Sequence, residues 1–132
     1  MILQILRRIY KSPTGRVLAP ELGRVLRSVD FTPVIIESPY RAEGAAEYLQ
    51  ECIRDCIQRG ETPYASHLML TGALDDTDEE QRRLGIRLGF AMRPLMARTV
   101  VYTDLGYTEG MIEGIKHARG LEHPIEWREI RS

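Results

Sequence analysis

At 132 residues, 43% hydrophobic and 28% charged, the chain has the size and composition of one ordinary globular domain with a single core. Its formal net charge is −1 with Lys and Arg spread along the sequence, so it has no basic stripe for a nucleic-acid polymer, although one or two cations would serve a small anionic ligand. The apolar stretches are strand-sized, which excludes a membrane-spanning helix; the start lacks the apolar h-region of a secretory signal, and a cytoplasmic setting without a membrane partner is expected.

In chain order, Met1–Tyr10 carries Ile2, Leu3, Ile5, Leu6 and Ile9 among polar residues, the spacing of a short amphipathic helix. Pro20 stands where the first turn of a second helix, Glu21–Val29, begins. Residues 1–31 thus read as an N-terminal helical extension, packing on the main domain or mediating assembly, and residues 32–132 as the α/β domain itself. Val34-Ile35-Ile36 is a continuously apolar run of the kind found in parallel strands covered on both faces. Ser38-Pro39-Tyr40-Arg41 breaks it. Gly44–Arg59 predicts a helix with Ala45, Leu49, Cys52, Ile53, Cys56 and Ile57 along one stripe, and Gly60 stops it.

Pro63–Leu70 predicts a second strand and Thr71–Asp78 a polar loop. Glu79–Ala97 predicts another main helix, which Pro94 kinks or ends early. Thr99–Thr103 is a third apolar strand, Gly110–Arg119 a helix, and Ile125–Glu129 a final strand after Pro124. Strands alternating with helices predict a Rossmann-type three-layer α/β domain, a small parallel sheet of about four strands flanked by helices. Ligands in such sheets bind beyond the carboxyl ends of the strands, which singles out the loops 37–43, 71–78 and 103–109.

Cys52 and Cys56 lie four apart in a helical pattern and suit buried helix positions, not a disulfide. A structural zinc needs four ligands, and His67, His117 and His123 do not supply the spacing, so neither metal nor cofactor is expected. The first loop, Glu37-Ser38-Pro39-Tyr40-Arg41, offers a hydroxyl, an aromatic plate and a guanidinium ahead of a helix start, where free N–H groups meet anions. The same residues also make an ordinary strand-to-helix turn with a surface arginine. Gly85 and Gly89, one turn apart, imply close approach by another element or a second subunit.

The segment Val34–Tyr40 resembles the opening of the nucleoside 2-deoxyribosyltransferase-like family, and more closely that of small phage and bacterial proteins related to it. Gly60–Leu68 with Pro63 and His67, Leu74-Asp75-Asp76, Val101–Gly106 and Gly110-Met111 leading to Ala118 continue the likeness over about residues 33–129. The resemblance implies a nucleoside deoxyribosyltransferase-like domain in which a Glu early in the last helix attacks the sugar's anomeric carbon while Asp residues handle a proton on the base. A carboxylate nucleophile divides one hard displacement into two easier ones. Asp75 and Asp76 are candidates for the proton-handling role, and they also suit a solvated loop before a helix N-terminus. With the loops, the resemblance gives Ser38, Pro39, Tyr40, Arg41, His67, Asp104, Tyr107, Gly110 and Met111 as the expected ligand-binding set.

The nucleophile departs from that pattern. At about 100° per residue, Met111, Ile112, Ile115 and Ala118 define the apolar face of the last helix, and Glu113 lies roughly 160° from its centre. The family register places the catalytic position at Gly114, which has no carboxylate, and the chain has no asparagine to serve a neighbouring subunit's site. The expectation is a homo-oligomeric protein that binds a nucleotide or nucleoside derivative without turnover, such as a phage-type sponge for nucleotide immune signals. The alternative is an enzyme that transfers or hydrolyses N-glycosidic bonds with Asp75, Asp76 and Glu113.

Overall fold

The computed structural model describes residues 32–131; the helical extension expected over 1–31 lies outside the described residues. Strand β1 (Thr32–Glu37) runs between β2 (Glu61–Tyr64) and β3 (Arg98–Tyr102), and β4 (Ile125–Arg128) pairs with the outer side of β3. All three pairings are parallel, giving the order β2-β1-β3-β4. Ile35 stands opposite both Tyr64 and Thr99. Side chains alternate along a strand, so Val34, Ile36, Val100 and Tyr102 share one face while Ile35, Glu37, Thr99 and Val101 share the other.

Helix α1 (Ala45–Gln58) covers the first face, packing Tyr48, Leu49, Cys52 and Cys56 onto Val34, Ile36, Val100 and Tyr102. Both cysteines are free and fully buried. The buried stripe differs slightly from the one expected: Tyr48 is inside and Ile57 is exposed, because Ile57 is turned about 100° from its buried neighbour Cys56. Helix α4 (Glu109–Gly120) covers the second face, where Met111 and Ile115 meet Val101. Helices α2 (Ser66–Leu70) and α3 (Glu79–Met92) fill the long crossover from β2 to β3. The result is the three-layer α/β domain with a four-stranded parallel sheet, as expected.

The second strand is a correction. It starts at Glu61 and ends at Tyr64, and Ser66–Leu70 is helical. The N–H of Leu68 turns back to the carbonyl of Ala65 at 3.1 Å, and Leu68 and Met69 are exposed, so an apolar run that reads as a strand caps the cleft as a short helix. Pro63 is tolerated because β2 is an edge strand. Helix α3 stops at Met92, and a 3-10 turn, Arg93–Leu95, carries Pro94 at its start. That is the early ending that a proline imposes. No helix among the described residues is long and apolar enough to cross a membrane.

The register places Glu61, Arg98, Tyr102 and Arg128 together on the α1 face. Arg128 donates to both carboxylate oxygens of Glu61 at 2.7 and 2.8 Å and to the Tyr102 hydroxyl at 3.0 Å, while Arg98 donates to Glu61 at 2.6 Å. Glu61 and Arg128 are both buried, so neither charge is stable alone. Glu61→Ala is expected to cost about 3–5 kcal/mol in urea unfolding, and Glu61→Leu combined with Arg128→Met is expected to recover most of that loss.

Candidate functional site

The chain leaves β1 toward β2 on one side, and β3 flanks β1 on the other, so the carboxyl ends of β1 and β3 form the topological switch point where open α/β sheets bind ligands. A cleft of about 410 Å³ opens there. Ile35, Glu37, Ser38 and Arg93 form its floor; α3 supplies Arg82, Gly85, Ile86, Gly89 and Phe90. Ser66, His67 and Leu70 of α2 and Gly110, Met111 and Gly114 of α4 close the sides. Tyr40, Arg41, Asp76, Glu109 and Glu113 stand at the rim.

Glu37 is the last residue of β1 and, by strand alternation, points to the α4 face. Its carboxylate lies directly against Gly114: a Cβ there would overlap all three carboxylate atoms, so any side chain at this position requires the Glu37 carboxylate to shift. Arg93 donates to Glu37 Oε1 at 2.6 Å, to Thr99 Oγ1 at 2.7 Å and to His117 Nδ1 at 3.0 Å, and is 1% exposed. His117 must therefore be unprotonated at Nδ1. Its ring lies parallel to that of Phe90 at 4.0 Å, and burial, Arg93 and His123 all lower its pKa. Burial raises the Glu37 pKa above the ordinary carboxylate value despite the bond and charge of Arg93. Oε2 of Glu37 has no protein partner among the described residues, where no fully buried polar side-chain atom is left unsatisfied. It therefore opens into the cleft.

The remaining expected residues divide between the cleft and other places. Ser38 Oγ lies 3.5 Å from His67 Nε2, and the Tyr40 ring is tilted over His67 with centroids 5.5 Å apart. Burial holds the His67 pKa below its usual value, which favours the neutral imidazole. Arg41 donates to the Asp76 carboxylate at 2.5 and 3.0 Å and to its carbonyl at 2.9 Å, tying the first loop to the second. Gly110 and Met111 line the cleft.

Pro39, Asp75, Asp104 and Tyr107 are not in its lining. Pro39 borders a separate hollow beside α1. Asp75 turns onto the N–H and hydroxyl of Thr77, whose bonds lower its pKa. Asp104 accepts from the Tyr48 hydroxyl and the N–H groups of Ile130 and Arg131, fastening the segment after β4. Tyr107 meets Trp127 edge-on at 6.2 Å.

On α4 the buried face is Met111, Gly114, Ile115 and Ala118; Ile112, expected among them, is exposed. Glu113 is exposed as expected, yet the start of α4 brings it to the rim of the cleft. The close approach implied by Gly89 comes from Ser66 of α2, and Gly85 faces Leu74. Glu37, Arg93 and Arg82 were not among the expected ligand-binding residues. The available signal was a charged residue ending an otherwise buried apolar strand.

A family model described as "Domain of unknown function (DUF7768)" matches residues 32–128. Among solved structures, a 2-deoxyribosyltransferase from the psychrotolerant bacterium Bacillus psychrosaccharolyticus superposes with a TM-score of 0.63 at 12% identity, over 74% of this chain and 72% of that one. At that identity the likeness is one of fold. No curated protein matches the sequence.

Two measurements test the packing and protonation just described. Gly114→Ala is expected to cost about 1–3 kcal/mol in the native protein, the usual range for overpacking. In a Glu37→Ala background it is expected to stabilise by up to about 1 kcal/mol through helix propensity, so a double-mutant cycle will show strong coupling. The folded state holds a proton on His67 less tightly than the unfolded chain does. Its contribution to stability is therefore complete above the ordinary value of 6.5 and lost as pH falls through the depressed folded value. Thermal melts between pH 8 and pH 5 are expected to fall less steeply for His67→Gln than for the native protein.

Proposed function

We propose, for a chain that belongs to the family described as "Domain of unknown function (DUF7768)", that the cleft at the ends of β1 and β3 binds a nucleoside or nucleotide derivative. The observation that carries this reading is the mixed character of the cleft. The volume of about 410 Å³ falls in the range of small-molecule sites. One side presents the Tyr40 and His67 rings with Leu70 and Ile86, suited to a flat base, and the floor presents a carboxylate oxygen suited to a hydroxyl. The fold shared with a 2-deoxyribosyltransferase supports a ligand of this class.

In its full form the proposal is a homo-oligomeric binding protein that sequesters signalling nucleotides. Purine nucleosides and nucleotides are expected to raise the melting temperature and to be recovered chemically unchanged by mass spectrometry. Ligand at a hundred times its dissociation constant adds roughly 2.7 kcal/mol to stability. Absence of any shift across such a panel would remove the reading.

One observation favours a second reading, cleavage or exchange of an N-glycosidic bond. The sequence lacks a carboxylate at position 114, but Glu37 places one against that glycine with Oε2 open to the cleft. On this reading Glu37 is the reacting carboxylate and Asp76 the nearby acid, while Asp75 and Glu113 are dispensable. Release of free base on incubation with a nucleoside, abolished by Glu37→Gln and retained by Glu113→Gln, would establish turnover. Unchanged nucleoside after prolonged incubation leaves binding alone.

A further inference from the structure

On the reading just given, we infer that the cleft holds its ligand in one direction, with a hydroxyl-bearing sugar edge on Glu37 and an anionic group on Arg82. Among the described residues, three guanidinium groups line the cleft. That of Arg93 is buried and committed to Glu37, Thr99 and His117. That of Arg41 is committed to both the side chain and the carbonyl of Asp76. Arg82 alone, among the described residues of the lining, carries a guanidinium with no side-chain partner, and it is half-buried in the α3 wall. A partly desolvated cation without a counterion is stabilised by an anion more than a solvated one is, through charge-assisted bonds.

The floor has the opposite character. Oε2 of Glu37 accepts hydrogen bonds and repels a phosphate, so a hydroxyl or N–H belongs there. Glu109 and Glu113, at the rim beside α4, add negative charge on the same side and have no cationic partner among the described residues. An anionic group is thereby directed away from α4 and toward α3. The ligand class is a sugar carrying a phosphate at one end, with free hydroxyls at the other.

Calorimetric titration with adenosine, adenosine 5′-monophosphate, ribose and ribose 5-phosphate tests this directly. Arg82→Gln is expected to weaken the two phosphorylated probes about 10- to 100-fold, in line with loss of hydrogen bonds to a charged group, and to leave adenosine nearly unchanged. Glu37→Gln is expected to weaken probes with and without phosphate by similar factors, and Arg41→Gln to have little effect. Among the described residues Arg82 has no side-chain partner to strand, so its variant is expected to keep the fold. The amide of Glu37→Gln still offers an oxygen to Arg93, and a thermal melt checks each variant.

A loss that follows Arg41 instead of Arg82, or indifference to Glu37→Gln, overturns the orientation. Binding of ribose 5-phosphate with this dependence, but of neither adenosine compound, keeps the orientation and removes the nucleoside reading. Binding of the adenosine compounds that is indifferent to both residues does the reverse. No binding of any probe removes both.

Discussion

The arrangement of the cleft depends on how Arg93 is satisfied. A guanidinium with 1% exposure persists only if its donors are met, and those of Arg93 are met by three separate elements: Glu37 at the end of β1, Thr99 in β3 and His117 in α4. The residue stands at the break between α3 and β3, where Pro94 ends the helix and the 3-10 turn leads toward the sheet. Hydrophobic replacements of buried ion pairs are often neutral or stabilising, so such a pair is weak evidence for stability. Here its effect is positional. Glu37 is held with one oxygen on Arg93 and the other toward the cleft, and α4 brings a glycine against it, where any side chain would displace the carboxylate.

The other face of the sheet carries a second buried arginine, and the two differ in how completely their networks are closed. Arg128 places its donors on Glu61, Tyr102 and Glu126, while Glu61 is also closed by Arg98. Both oxygens of Glu61 are occupied by protein, and the Tyr102 hydroxyl donates a hydrogen bond to Asp55. This network is closed and holds β2, β3, β4 and α1 together. The Arg93 network is open at one atom, Oε2 of Glu37, and that atom faces the cleft at the switch point. A closed buried network specifies structure; an open one beside a cleft can meet a ligand.

Much of this was legible in the sequence because it rests on local pattern. The apolar run Val34–Ile36, the α1 stripe around Cys52 and Cys56, and the punctuation of Gly60 and Pro94 each report their own element. The strand order then directs attention to the loops that hold Ser38, Tyr40, Arg41 and Asp76, all of which line the cleft. The missing part is non-local. Glu37 and Arg93 are 56 positions apart and meet only after the sheet and the 3-10 turn have formed. Gly114 is silent to a count of apolar residues, since glycine carries no hydrophobic signal. That count therefore put Ile112 on the buried face in its place. The run around Leu68 and Met69 failed for the opposite reason: it is apolar but exposed, so hydrophobicity did not report burial. Asp104 looked like a loop carboxylate, yet its partners are backbone groups after β4.

The floor and the rim of the cleft are therefore held by forces of different strength. Arg41 and Asp76 have side-chain exposures of 60% and 29%, and pairs this exposed contribute about 0–1 kcal/mol, screened further by salt. The second loop has its own supports instead: Asp75 turns onto Thr77, its N–H bonds to Gln81, and Asp78 caps α3 by accepting from the N–H groups of Glu80 and Gln81. Breaking the Arg41–Asp76 pair thus leaves the second loop folded on its own bonds. Nothing comparable can happen at the floor, where moving Glu37 would strand Arg93 without a counterion in the interior. The floor is for this reason the fixed part of the cleft. The rim, held by an exposed pair, has no such constraint.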